Sequence, residues 1–206
     1  MVRTALILLG SVFLIGCGDP FSDLDLIGDV EGGGPASLGF IGTQNREVDV
    51  EVTADQVVPY GRIARNCTVS RRDMGKSVTD ASGYTIYDTA PNSTGLRTHF
   101  ITGFRDGCAR QFSGALVITG DVGTHEMVRY ADVGLKQPYT ITDEAYEVIK
   151  GSFCRVARLQ PCGRRIDRLA KTTAFVTVYE SFGNNANWSD VLLHRGEVVA
   201  KDVNGR

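Results

Sequence analysis

The chain has few of the residues from which catalytic and metal sites are most often built. Its 206 residues include three histidines and one tryptophan, and the formal net charge is only −2. A charge so close to zero argues against binding nucleic acid over the whole surface, so we expect no nucleic-acid partner. The one long apolar run is N-terminal, which excludes a membrane protein with several spans. A hydrophobic share of 42% excludes global disorder.

Two motifs of metal and phosphate chemistry begin in this sequence but are not completed. His125 opens a zinc-protease pattern, but Arg129 stands where the second histidine ligand belongs. The run from Gly75 to Ser77 matches the end of a phosphate-binding loop, but Ser70 replaces its leading glycine. The chain also lacks a Cys-x-x-Cys pair. We therefore predict no metal, no cofactor and no identifiable catalytic residue, while a Ser/His/Asp triad of distant residues stays open.

The first 17 residues form the most specific pattern in the chain. Arg3 gives a positive start, an apolar run extends from Thr4 to Ile15, and residues 14–17 read Leu-Ile-Gly-Cys. The run is too short to cross about 30 Å of hydrocarbon and is typical of a secretory signal peptide. Residues 1–17 resemble the signal and lipobox of bacterial lipoproteins. The resemblance implies that residues 1–16 are a cleaved signal peptide and that Cys17 carries a diacylglyceryl thioether.

The same resemblance predicts where the protein resides. Two or three acyl chains hold a protein stably on a bilayer, so we expect a membrane partner through the lipid anchor. In enterobacterial lipoproteins an Asp directly after the lipidated Cys favours the inner membrane. Gly18 occupies that position here. We therefore expect a lipid-anchored protein of the cell envelope, with the periplasmic face of the outer membrane favoured over the inner membrane.

Composition divides the rest of the chain into a tether and a domain. Residues 17–45 begin with the lipidated Cys17 and then hold acidic residues but no Lys or Arg, with three consecutive glycines before Pro35. Such a segment buries too little apolar surface to offset the entropy of ordering, which indicates a flexible acidic tether. From Arg46 the hydrophobic patterning becomes regular. We predict a single globular domain over residues 46–206.

Hydrophobic periodicity predicts an α+β domain with a mainly antiparallel sheet and two or three helices packed on it. A helix is expected after Thr142 as N-cap, with Ala145, Ile149 and Phe153 on its apolar face. Residues 108–119 fit either a helix or a strand, and the helix is favoured. A second helix is expected over 163–171, and strands over 47–53, 84–89, 96–104, 172–179, 190–194 and 197–202.

Four cysteines remain after Cys17, and an even number in an exported chain predicts two disulfides. Three pairings of Cys67, Cys108, Cys154 and Cys162 are possible. Proximity in sequence favours Cys154–Cys162, with Cys67–Cys108 as the second bond.

Basic residues are concentrated between Lys150 and Lys171, where Asp167 is the one acidic residue. Arginine forks bind carboxylate and phosphate through paired hydrogen bonds. The sequence therefore predicts a candidate anion-binding surface, with a plain solvated face as the alternative. Its arginines are Arg155, Arg158, Arg164, Arg165 and Arg168.

These patterns together favour a non-catalytic protein. The expected function is a membrane-anchored binding or assembly module at the periplasmic face, whose candidate partner is an envelope protein or an anionic polymer. The alternative is an envelope hydrolase whose active site has no recognisable motif. A pocket with converging polar side chains would favour the enzyme, and a flat basic or apolar face would favour the binding module.

Overall fold

A computed structural model describes residues 50–53, 55–130 and 139–204, which belong to one compact unit. They form two antiparallel sheets and a layer of helices, as the predicted α+β class requires. The helices are α1 (Val122–Arg129), α2 (Ile141–Cys154) and α3 (Ile166–Ala170), with a 3-10 helix at Gly163–Arg165. The strands are β1 (Ile63–Asn66), β2 (Lys76–Ala81), β3 (Tyr84–Asp88), β4 (Arg97–Thr102), β5 (Ala109–Gly114), β6 (Leu116–Asp121), β7 (Thr173–Ser181), β8 (Asn184–His194) and β9 (Glu197–Asn204).

The layers follow from the alternation of apolar side chains along the strands. The first sheet has the order β1-β5-β4-β3-β2, and the second has the order β6-β7-β8-β9. In β7, Ala174 and Val176 pack in the core shared with the first sheet, while Phe175 packs in the helix-side core. This is the two-residue period of a strand with both faces buried. The second sheet is therefore the middle layer, and Tyr146 and Leu169 of the helices cover its outer face.

The two sheets are joined at Ala115, the single residue between β5 and β6. Its backbone N–H donates to the carbonyl oxygen of Tyr179 at 2.9 Å, so pairing with β7 starts before β6 does. A Cβ atom added to Gly114 would lie 2.5 Å from Cγ1 of Val178. Only glycine lets the two sheets approach this closely at the crossing point.

This junction shows why the helix favoured for residues 108–119 is wrong. Every residue of β5 is buried, because the strand lies between two neighbours and both of its faces are covered. A strand buried on both faces loses the polar–apolar alternation that marks a strand in the sequence. Because this alternation is weak, Phe112, Ala115 and Leu116 fit the apolar face of a helix as well as residues 108–119 fit a strand.

The helix predicted after Thr142 exists but begins two residues earlier. Thr140 is the N-cap: its side chain accepts from the N–H of Asp143, and the Asp143 carboxylate accepts from the N–H of Thr140. This capping box needs an acidic or amide residue three positions after the cap. Thr142 would have Ala145 at that position, so it is the wrong cap. Helix α1, which the sequence did not predict, is capped by Asp121.

The other predicted elements have mixed outcomes. The strands expected over 84–89, 96–104 and 172–179 are confirmed as β3, β4 and β7, and the C-terminal hairpin is confirmed as β8 and β9. The helix expected over 163–171 is confirmed as the 3-10 helix followed by α3. Of the strand expected over 47–53, the described part contains only an isolated parallel bridge between Glu51 and Arg65. Residues 1–49, with the predicted signal, Cys17 and tether, lie outside the described residues.

Both disulfides favoured from the sequence are present. Cys67 is bonded to Cys108, and Cys154 is bonded to Cys162. The first bond ties the chain just after β1 to the start of β5, and the second closes a short loop between α2 and the 3-10 helix.

Candidate anion-binding site

A cavity of about 260 Å³ opens where the end of α2, the 3-10 helix and the turn between β8 and β9 meet. Three arginines from these three elements line it, with no carboxylate from the described residues among the lining side chains. Its residues are Ile149, Ser152, Phe153, Arg155, Arg165, His194 and Arg195. A cavity of this charge and size fits a small anion, because a water molecule occupies only about 30 Å³ in the liquid.

Arg155 is placed by the end of α2. It is the C-cap residue, with a left-handed backbone (φ 59°), and its N–H donates to the carbonyl of Gly151. The left-handed turn reverses the chain direction, so that the Arg155 side chain leaves the helix beside the cavity. Its guanidinium forms no hydrogen bond or ion pair with the residues that the structure describes, and the residue is exposed. Those donors are therefore accessible to a ligand.

Arg165 is held by the backbone of the same helix. Its Nη1 donates to the carbonyl oxygen of Phe153 at 3.0 Å and reaches that of Cys154 at 3.5 Å. These carbonyls are two of the last four in α2, which have no partner within the helix. The contact fixes the position of the guanidinium while leaving its remaining N–H groups available. Arg165 therefore stabilises the helix end and presents positive charge to the cavity.

Arg195 comes from the hairpin turn between β8 and β9. Arg195 and Gly196 both have positive φ values, 48° and 76°, as tight two-residue hairpin turns require. The Arg195 guanidinium carbon lies 5.9 Å from the ring centroid of Phe153, within reach of a cation–π contact. Asn or Gly is the usual residue at a position of this kind, so an arginine here carries a conformational cost.

His194 adds a neutral wall to the cavity. Its Nδ1 lies 2.7 Å from Oγ1 of Thr173, and only 7% of its surface is exposed. Burial, with Arg195 and Arg105 nearby, lowers the pKa of His194 to about 4. The ring is therefore uncharged at neutral pH, and the charge in the cavity comes from the arginines alone. Ser152 supplies an exposed hydroxyl at the rim.

Two of the five arginines predicted from the sequence, Arg155 and Arg165, line this cavity. Arg158 does not, because its Nη1 donates to Oε2 of Glu144 at 2.7 Å in an exposed ion pair. Arg164 and Arg168 are exposed residues outside the lining.

Lys150, the first residue of the basic run, cannot contact a ligand. It is fully buried, its Nζ lies 2.7 Å from Oε2 of Glu147, and it also donates to the hydroxyl of Tyr130. Glu147 also accepts from the N–H of Leu159, and Glu126 accepts from the N–H of Cys162. These buried acids therefore fix the disulfide loop against α1 and α2.

Arg195 was not among the candidate anion-binding residues predicted from the sequence. It was assigned to a turn, and nothing in its neighbours along the chain links it to the basic run. Only the pairing of β7 with β8, in which Thr173 lies opposite His194, brings the hairpin turn next to the end of α2.

A second cavity, of about 240 Å³, lies beside α1 and the start of α2. His125 Nε2 is 3.4 Å from Oδ1 of Asp143, and Arg129 Nε donates to the same oxygen at 2.7 Å. Burial raises the pKa of Asp190, which accepts from Oγ1 of Thr177 at 2.7 Å. Both carboxylates already receive hydrogen bonds from the protein. Fewer unpaired groups are thus left for a ligand than in the arginine-lined cavity.

A larger cavity of about 430 Å³ follows the edge of the first sheet, where mostly apolar residues between Val50 and Ala64 line it. It has no comparable group of converging charges. Over the described residues, no three His, Cys, Asp or Glu side chains are placed to hold a metal ion. None of the described helices combines the length and apolar character that a membrane crossing needs.

Comparison of the chain with protein-family models, with curated proteins and with solved structures finds no match. The functional proposal therefore depends on the chemistry of the arginine-lined cavity and on the N-terminal pattern.

Proposed function

We propose that this protein is a membrane-anchored envelope lipoprotein whose domain is a non-catalytic module that binds an anionic ligand. The observation that carries the binding proposal is the convergence of Arg155, Arg165 and Arg195 on one cavity without a lining carboxylate from the described residues. Like charges repel, so three guanidinium groups placed together favour a state in which an anion lies between them.

The anchor rests on the sequence alone. The lipobox pattern at residues 14–17 supplies the acylated Cys17, and the acidic segment after it supplies a tether between bilayer and domain. The two disulfides support export, because such bonds persist outside the reducing cytoplasm. Gly18 favours delivery to the periplasmic face of the outer membrane.

The cavity favours a binding role over hydrolysis, although its polar groups do converge. Among the described residues that line it, no carboxylate can act as general base, and the pKa of His194, lowered to about 4, makes its ring a weak base. The alternative hydrolase would use the second cavity, where His125 and Asp143 form a pair and Asp190 has a raised pKa. If hydrolysis occurs there, replacing His125 by Gln abolishes it and leaves anion binding unchanged.

Charge reversal tests the binding proposal directly. The full-length lipoprotein in neutral detergent is titrated calorimetrically with inorganic phosphate. The double variant Arg155→Glu, Arg195→Glu reverses two charges in the cavity. The matched control, the double variant Arg164→Glu, Arg168→Glu, reverses two charges outside it. We expect the cavity pair to weaken binding about 100-fold and the control by less than about threefold. Equal losses in both would show that net charge, and not the cavity, attracts the anion.

A further inference from the structure

We propose that the arginine-lined cavity selects a phosphate monoester over a phosphodiester or a carboxylate. This inference rests on the proposed function, since it specifies the anion that the same cavity binds. The structure contributes the number of guanidinium groups, the three elements that carry them and the nature of the surrounding wall.

The charge in the cavity exceeds what a single negative charge can balance. Arg155, Arg165 and Arg195 line it, and His194 beside them is buried and hydrogen-bonded to Thr173. A carboxylate or a phosphodiester carries one negative charge. A phosphate monoester carries about 1.5 to 2 negative charges at pH 7 and balances more of this field.

The placement of the three arginines on separate elements also favours the monoester. Arg155 follows the end of α2, Arg165 lies in the 3-10 helix, and Arg195 lies in a turn of the second sheet. Guanidinium groups that reach a ligand from three elements need acceptor oxygens pointing in three directions. A monoester presents three terminal oxygens around phosphorus, whereas a diester or a carboxylate presents two.

The wall of the cavity strengthens this selection. Ile149 and Phe153 line one part of it, so part of the field acts through apolar side chains instead of water. Charge differences between ligands count for more where screening by water is reduced. Ser152 adds a hydroxyl that can donate to a further oxygen at the rim.

The phosphate could belong to a soluble metabolite or to the head group of a lipid in the membrane. The full-length lipoprotein in neutral detergent is titrated calorimetrically with glycerol 3-phosphate, dimethyl phosphate and acetate. Dihexanoyl phosphatidic acid and dihexanoyl phosphatidylglycerol are compared in parallel. The first lipid carries a monoester and the second a diester, and their acyl chains are the same.

We expect glycerol 3-phosphate to bind at least about tenfold more tightly than dimethyl phosphate or acetate, and phosphatidic acid to exceed phosphatidylglycerol similarly. Equal affinities for glycerol 3-phosphate and phosphatidic acid would show that the phosphate group alone is sufficient for binding. A marked preference for phosphatidic acid would identify a lipid ligand. Equal affinities for monoester and diester would overturn the selection while leaving anion binding intact, and absence of binding to every anion would remove the proposed function itself.

Variants that preserve the backbone complete the test. Arg155→Gly and Arg195→Asn retain residues suited to positive φ, so loss of fold does not explain loss of binding. Each is expected to reduce the preference for monoester over diester as well as the affinity. The matched exposed variant Arg164→Gln should change neither, and a similar loss of preference in it would count against selection by the cavity.

Discussion

Arg155 and Arg195 occupy backbone conformations that suit other residues better. Both have positive φ, where a side chain costs roughly 1–2 kcal/mol and where Gly or Asn is usual. Conformational cost at a ligand site is commonly retained because the side chain is needed there. The two arginines thus lower the stability of the domain while placing charge at the cavity.

This cost predicts opposite effects of one substitution on stability and binding. Arg155→Gly should raise the free energy of unfolding by about 1 kcal/mol, because glycine adopts φ 59° without strain, and should weaken phosphate binding. Urea denaturation and calorimetry measure the two effects. Arg164→Gly is the control, since it replaces a residue inside the 3-10 helix and should give no gain. A loss of stability in Arg155→Gly would show that the Arg155 side chain is not a source of strain.

Two histidines with strongly lowered pKa values predict how stability changes with acidity. Burial lowers the pKa of His125 and of His194 to about 4 in each case, below the usual 6.5. Between these values the unfolded chain binds more protons, so the free energy of unfolding falls as pH decreases from 6.5 towards 4. Urea denaturation over this range should show the loss, and His194→Gln should reduce its slope. An unchanged slope in that variant would mean that folding does not lower the pKa of His194.

At the scale of elements, the Cys154–Cys162 disulfide links two of the three segments that carry cavity arginines. Cys154 directly precedes Arg155, and Cys162 directly precedes the 3-10 helix that holds Arg165. The other disulfide, Cys67–Cys108, has a sequence separation of 41, and neither of its cysteines adjoins a residue that lines the cavity. Stability and binding therefore depend differently on the two bonds.

Removing each disulfide should separate these effects. Replacing both Cys154 and Cys162 by Ser should cost about 3 kcal/mol of stability and weaken phosphate binding, because the two arginines become independently mobile. Replacing Cys67 and Cys108 should cost more stability, about 4 kcal/mol, because the closed loop is longer, yet leave binding unchanged below the melting temperature. Thermal unfolding and calorimetry test this. Equal loss of binding in both variants would indicate a general loosening.

The elements differ in how well the sequence alone could define them. β3, β4 and β7 were predictable because turn residues or clear β-branched patterning mark them. β5 was not, because both of its faces are buried and its residues, Phe112 among them, follow no distinctive period. Only part of the site was predictable from the sequence. Arg155 and Arg165 lie in one basic run, whereas Arg195 reaches them only through the pairing of β7 with β8.

At the scale of the whole molecule, the proposed attachment to a bilayer depends on one sulfur atom, that of Cys17. Radiolabelled palmitate should enter the wild-type chain in bacterial cells, and Cys17→Ser should prevent incorporation, because the thioether needs a thiol. Cys67→Ser serves as the control, since that cysteine is disulfide-bonded and should leave labelling intact. Equal labelling of the wild type and Cys17→Ser would exclude the lipobox. If Cys17 is required for labelling, fractionation of the inner and outer membranes reports on sorting at Gly18.

The passage of one strand from the first sheet into the second at Ala115 has a mechanical consequence. A load applied to either sheet is transmitted along the covalent chain into the other, and the tight crossing at Gly114 leaves no slack. Pulled in an optical trap, the domain should rupture in a single event, because a force on one sheet reaches both.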